Sequence, residues 1–204
     1  MPEARVASVR PSNRPIRWVF LDRDGTLNVK PPEGEYVERP EALELLPGAA
    51  EAVATLNRAG LWTAVVTNQR GIALGRMSVE DLDAVHQRLR RLLHLEGAHV
   101  DAIYVCPHQV GECDCRKPQP GLMLLAREEH PAIDFAHAAI VGDAPSDVQA
   151  GQRLGLMTVL LSDGEGDRAE APDADHVVGN LVQAAQILVA EPGAPMRRGD
   201  DPGV

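Results

Sequence analysis

The chain has no cysteine outside positions 106–115, where Cys106, Cys113 and Cys115 stand with His108. An odd number of thiols so confined cannot form a full disulfide framework, which excludes a stapled extracellular scaffold. No apolar run approaches the ~18 residues of a membrane span. The opening stretch, MPEARVASVRPSNRPIR, lacks the apolar centre of a signal peptide. A cytoplasmic protein with no membrane partner is therefore expected. Positive charge is scarce as well. Twenty Lys and Arg against 30 Asp and Glu give a net charge of -10, and no long basic cluster could track a phosphate backbone, so nucleic acid is not expected as a main partner. The sequence also shows no internal repeat and no low-complexity run.

What remains is a chain of 204 residues with 44% apolar content, enough for one sizeable core. Residues 1–15 and the tail from Glu191, EPGAPMRRGDDPGV, read as flexible segments around a single domain at 16–190, expected to be monomeric. Within that domain short apolar runs alternate with helical patterns. IRWVFLD, LWTAVVTN, DAIYVC, HAAIVGD, LMTVLL and ADHVV read as strands. A helix over PGAAEAVATLNRAG, a long one after Ser78 and others beginning near Pro120, Pro145 and Asn180 separate them. The helix after Ser78 opens on an approximate capping box with Asp81, carries Leu82, Val85, Leu89, Leu92 and Leu93 at helical spacing, and is expected to stop near Gly97. Six strands and five helices in alternation predict a doubly wound α/β domain with a parallel, Rossmann-like sheet. Ligands are expected at the carboxyl ends of the strands.

Those ends carry acids. The first strand runs into VFLDRDGTLN, where Asp22 and Asp24 are two apart and, if the extended geometry continues, share one face. HAAIVGD ends on Asp143, with Asp147 four residues later. Carboxylates gathered at neighbouring strand ends repel one another unless a cation joins them, and Mg²⁺ suits one or two protein carboxylates plus phosphate oxygens and water. Thr67 reaches a strand end in LWTAVVTN, and Lys117 follows the cysteines. An aspartate, ionised at neutral pH, can attack a phosphate ester when a metal and a lysine screen their mutual repulsion.

DRDGT at 22–26, Thr67, Lys117 and GDAPSD at 142–147 resemble, in order and spacing, the four motifs of the haloacid dehalogenase superfamily of aspartate-nucleophile phosphatases. The resemblance implies that Asp22 attacks phosphorus, that Asp24 protonates the leaving oxygen and later activates water, and that Thr67 and Lys117 hold the phosphoryl group. It implies Mg²⁺ ligation by the Asp22 carboxylate, the Asp24 backbone carbonyl and Asp143, with Asp147 orienting. The gaps between motifs leave little room for a cap domain, so a capless, open site is expected.

Cys106-x-His108 followed by Cys113-x-Cys115 is the inventory of a closed structural Zn²⁺ site. Together with CDCRKPQPG, DRDGTLN and TNQRGIALGRMS, it resembles the heptose 1,7-bisphosphate 7-phosphatases and their close relatives, the histidinol-phosphate phosphatases. The resemblance covers about Val19 to Gly155. It implies that the zinc loop presents Arg116 and Lys117, and that Asn28, Asn68, Gln69, Arg70 and Arg116 face the substrate, a small phosphorylated molecule. A heptose bisphosphate is the favoured substrate and histidinol phosphate the alternative. Arg70, Arg76 and Arg116 are candidates for the phosphate that is not cleaved. A short QVGE between His108 and Cys113, Arg70 after TNQ, and Ala144 after Asp143 depart from the heptose pattern. A polynucleotide 3′-phosphatase, which would want a basic groove, and a zinc-clip interaction module, which would need no Mg²⁺ site, are the rival readings.

Overall fold

The computed structural model describes residues 15–162 and 173–190. The segments expected to be flexible, up to 14 and from 191, lie outside the described residues. Six strands form one sheet: β1 (Trp18–Leu21), β2 (Trp62–Asn68), β3 (Ala102–Cys106), β4 (Ala138–Gly142), β5 (Met157–Leu161) and β6 (His176–Val178). Their order is β3-β2-β1-β4-β5-β6, and every pairing between them is parallel. This is the doubly wound order. The chain builds outward from β1 to β3, then crosses to the other side of β1 to lay down β4, leaving a crevice where the direction switches.

The period-2 alternation of the strands sorts the core into two layers. Val19 and Leu21, with Val65, Val141 and Val159, face α1 (Ala49–Arg58), α2 (Val79–Leu95) and α5 (Leu181–Ala190), where Val53, Leu56, Val85, Leu89, Ala185 and Leu188 cover them. Trp18 and Phe20, with Ala64, Val66, Tyr104 and Ile140, face the opposite way. They pack against α3 (Gly121–Glu129) and α4 (Pro145–Leu154) through Leu122, Met123, Ala126 and Ala150. Because both faces are covered, the central strands read as continuous apolar runs. Truncating a fully buried ring such as Phe20 to Ala would cost about 3–5 kcal/mol.

The capping box of α2 forms as expected: Ser78 Oγ accepts from Asp81 N at 3.1 Å, and Asp81 Oδ2 accepts from Ser78 N at 2.9 Å. The helix runs to Leu95, and Gly97 follows in the left-handed region at φ 71°. Among the described residues no cap domain interrupts the sheet. The connection from β1 to α1 holds a 3-10 turn at Pro40–Ala42 and isolated bridges from Asn28 to Asp24 and Leu45, and α2 bridges β2 to β3.

Register brings the strand ends level. Leu21 pairs with Val65 on one side and with Val141 on the other, and Asp22 N donates to Val141 O at 2.9 Å. The residues that follow β1, β2 and β4 therefore emerge at one edge.

Candidate active site

Three acids meet there. The carboxylates of Asp22, Asp143 and Asp147 lie with their nearest oxygens within 4.8 Å of one another. Lys117 threads between two of them: its Nζ is 2.7 Å from Asp22 Oδ1 and 2.5 Å from Asp147 Oδ1. The lysine is buried, and burial alone disfavours its charge. Asp147 and Asp22 outweigh that effect and hold the amine above its usual range. Asp22 is pushed up to about 6, chiefly because it is desolvated, with Lys117 pulling against this and Asp147 adding repulsion. Burial also raises Asp143, opposed by a hydrogen bond from Lys30.

The local sequence explains the convergence. Gly25 turns the chain at φ 87°, and a Cβ there would run into the Asp143 carboxylate, so only glycine lets the two loops close up. Asp147 sits in the first turn of α4, where its Oδ2 accepts from Ala144 N at 3.1 Å, leaving Oδ1 to face Lys117. Asn68, at the end of β2, grips the Lys117 backbone from both sides: Lys117 N donates to Asn68 Oδ1 at 3.0 Å, and Asn68 Nδ2 donates to Lys117 O at 3.1 Å.

Asp24 takes a different position. Extended geometry ends at Leu21, and its carboxylate lies outside the three-acid group. Arg23 donates to it from Nε (3.2 Å) and Nη2 (3.0 and 2.9 Å), Asn28 from Nδ2 (2.9 Å) and Gln69 from Nε2 (2.9 Å). The same Gln69 Nε2 donates to Thr67 Oγ1 at 2.8 Å and so ties Asp24 to the end of β2.

The polar residues expected to face substrate divide accordingly. Asn28 and Gln69 are buried and each donates one amide hydrogen bond to Asp24, the other going to Val29 O from Asn28 and to Thr67 Oγ1 from Gln69. Asn28 Oδ1 and Gln69 Oε1 are buried without a hydrogen-bond partner among the described residues. Asn68 holds Lys117. Arg76 is taken up by Glu38 (2.9 Å) and Arg70 by the Tyr36 hydroxyl (3.2 Å), two links that join the loop after β2 to the loop after β1. Arg116 is half-buried, and among the described residues its side chain donates to the His108 carbonyl at 3.5 Å.

Three residues escaped the sequence reading. Lys30 places Nζ 2.6 Å from Asp143 Oδ2. Arg23 is wholly buried behind Asp24, and His86 of α2 stands behind Arg23, with Nε2 3.2 Å from Nη1. The apolar stripe of α2 gave a signal for His86, since the position falls beside Val85 on the buried face.

Cys106, the last residue of β3, also comes together with His108, Cys113 and Cys115 of the loop that follows. Cys106 Sγ is 3.5 Å from Cys113 Sγ and 3.7 Å from His108 Nδ1, and Cys115 Sγ is 3.3 Å from both Cys113 Sγ and His108 Nδ1. Ligands about 2.3 Å from one tetrahedral ion would be about 3.8 Å apart, so these spacings suit a metal ion at their centre. The thiols cannot all ionise without one. Burial, then contact with the neighbouring thiols, raises Cys115. Burial likewise raises Cys106, while Cys113, despite its own desolvation, is drawn down to about 7 by hydrogen bonds from Cys115 and its surroundings.

The acid cluster fits a hard cation for a similar reason. Asp143 Oδ1 is buried without a hydrogen-bond partner among the described residues, and two further carboxylates stand beside it with one lysine shared between them.

Comparison with known proteins agrees with this geometry. Residues 114–184 match the model of the HAD-hydrolase-like family. The D-glycero-beta-D-manno-heptose-1,7-bisphosphate 7-phosphatase of Pseudomonas putida is 38% identical over 178 residues, covering 85% of this chain and all of that protein. The D-glycero-alpha-D-manno-heptose-1,7-bisphosphate 7-phosphatase of Mycobacterium bovis is 40% identical over 135 residues, covering 65% of this chain and 70% of that protein. Among solved structures, the D,D-heptose 1,7-bisphosphate phosphatase of B. bronchiseptica, complexed with magnesium and phosphate, superposes with a TM-score of 0.79 at 32% identity, covering 87% of this chain and all of that one. Motif order, sheet topology and this breadth of identity agree, and the chain belongs to the haloacid dehalogenase-like hydrolases as a phosphatase of that family.

Proposed function

We propose that the protein removes the 7-phosphate from a D-glycero-D-manno-heptose 1,7-bisphosphate in a Mg²⁺-dependent reaction that passes through a phosphorylated Asp22. The observation that carries this reading is the placing of Lys117 between Asp22 and Asp147 beside Asp143, whose buried Oδ1 lacks a partner among the described residues. A strand-end carboxylate held by a buried ammonium and backed by further acids has the parts that phosphoryl transfer needs: a nucleophile, a positive cradle and a cation site.

In this reading a free Asp22 oxygen attacks phosphorus as the ester P–O bond breaks, and Asp24 delivers a proton to the departing sugar oxygen. Water then attacks the phosphoaspartate, Asp24 takes up a proton from that water, and Asp22 leaves as carboxylate. Lys117 Nζ lies where it can balance charge on the transferring oxygens. Gln69 donates to Thr67 Oγ1, which leaves the Thr67 hydroxyl proton to turn toward a phosphoryl oxygen. Asp22, the Asp24 carbonyl and Asp143 would hold Mg²⁺, which supplies charge neutralisation for the phosphoryl group. Asp147 orients Lys117. Zn²⁺ at Cys106, His108, Cys113 and Cys115 would fix the loop that ends in Arg116 and Lys117. With Arg70 and Arg76 engaged by Tyr36 and Glu38, Arg116 is the arginine we assign to the phosphate that stays.

Support for the sugar comes from the names of relatives, one matching 85% of this chain and another 65%, and those names include both anomers. The test is a side-by-side measurement of kcat/KM on the α and β anomers of the heptose 1,7-bisphosphate and on histidinol phosphate. Preference for one heptose anomer is expected. Equal rates throughout, or preference for histidinol phosphate, would overturn the substrate assignment.

A further inference from the structure

We infer that His86, on the buried face of α2, is a positioning residue for the proton-transferring carboxylate Asp24 and acts through Arg23. The inference rests on the reading that Asp24 protonates the leaving oxygen.

Arg23 has no exposed surface, and its guanidinium has donors only. Three of its contacts go to the two oxygens of Asp24, from Nε and Nη2. The remaining terminal nitrogen, Nη1, meets His86 Nε2 at 3.2 Å, 63 residues away in sequence. An arginine nitrogen cannot accept, so Nε2 must offer its lone pair, which fixes the tautomer with the proton on Nδ1. The imidazole is suited to that part: burial first, and then the charge of Arg23, push its pKa down to about 3, so it stays neutral and able to accept. His86 thus closes the back of the guanidinium while Asp24 closes the front. A planar fork anchored at both ends has little freedom to swing, and a carboxylate held by that fork inherits the restriction.

The consequence concerns proton transfer rather than binding. Neither His86 nor Arg23 belongs to the three-acid group or to the Lys117 cradle, so substrate affinity should hardly depend on His86. A carboxylate that wanders by a fraction of an ångström loses efficiency in transferring a proton, and the loss grows with the leaving oxygen's need for one. His86→Leu removes the acceptor at nearly constant volume, whereas His86→Gln offers Oε1 to the same Nη1.

The experiment compares wild type, His86→Leu, His86→Gln and Asp24→Asn by the rate of leaving-group release in a single turnover, which isolates the first step from the later hydrolysis of the phosphoaspartate, in which Asp24 acts whatever the ester. Two esters are used: a sugar phosphate, whose alkoxide must be protonated, and 4-nitrophenyl phosphate, whose leaving group departs without a proton. For His86→Leu on the sugar phosphate, this single-turnover rate should fall roughly ten-fold, a part of the ~10²–10⁴-fold that general acid catalysis supplies. KM should stay within about two-fold, and the nitrophenyl ester should be far less affected. His86→Gln should recover most of the loss, which separates lost positioning from damaged folding. Equal losses on both esters, a shift confined to KM, or no rescue by Gln would overturn the inference while leaving the Asp24 role intact. If Asp24→Asn itself fails to discriminate between the esters, the reading of Asp24 falls, and this inference falls with it.

Discussion

Lys117→Met probes the centre of the site without changing its volume greatly. In the native chain the ammonium lies against two carboxylates, at 2.7 Å and 2.5 Å, and both the lysine and Asp147 are buried. Removing one partner from such a pair leaves uncompensated buried charge and costs about 3–5 kcal/mol. For a domain of this size that amounts to a fall in Tm of roughly 6–20 °C. The penalty should depend on pH in a defined direction. Without the lysine, Asp22, already pushed up to about 6, is raised further above its unfolded value. The folded state then takes up protons that the unfolded state releases, and the variant regains stability as pH falls from about 7 toward 5. Thermal unfolding of both proteins in magnesium-free buffer, repeated across that range, measures the effect. A deficit below about 1 kcal/mol at neutral pH, or one that does not shrink on acidification, would refute the claim that Lys117 holds the acids together.

Two further outcomes are expected. Asp22, raised to about 6 mainly by burial, binds a proton in the folded state between about pH 6 and pH 4 that the unfolded chain does not; this group therefore adds stability to the metal-free protein as pH falls through 6, and its proton competes with Mg²⁺. A thermal-shift titration with Mg²⁺ should show weaker affinity at about pH 5.5 than at about pH 7.5, and identical curves would contradict it. Stripping the Cys106, His108, Cys113 and Cys115 site with a chelator, then restoring Mg²⁺ alone, should lower both Tm and kcat, with Zn²⁺ returning them. A chelated protein with unchanged melting and turnover would show that the cluster is not a metal clip.

Much of this architecture was legible because each signal was local. Apolar runs of strand length alternating with helical periods give the parallel sheet, and strand-end motifs follow from DRDGT, Thr67 and GDAPSD at its carboxyl edge. The thiol cluster was equally plain, since Cys106, His108, Cys113 and Cys115 fall within ten positions. What stayed hidden were contacts between side chains far apart in sequence. Asn28 and Gln69 looked like polar residues waiting for a ligand, yet both turn inward to Asp24. Nothing in sequence distinguishes an amide that faces substrate from one that braces a neighbour. Arg23, between two acids, is wholly buried, and a buried guanidinium must find acceptors for all its donors. One of those acceptors, His86, is 63 positions away. The Arg70 and Arg76 links to Tyr36 and Glu38 were hidden for the same reason: surface charges gain partners only when two loops meet.

The central claim is that Asp22 carries the phosphoryl group during turnover. The direct measurement is acid quenching of the enzyme while it turns over heptose bisphosphate with Mg²⁺, followed by peptide mapping. A phosphoryl group on the peptide containing Asp22, formed within one turnover and lost on the timescale of hydrolysis, is predicted. Phosphate release with no label on that peptide, or with the label on a cysteine or histidine instead, would contradict it.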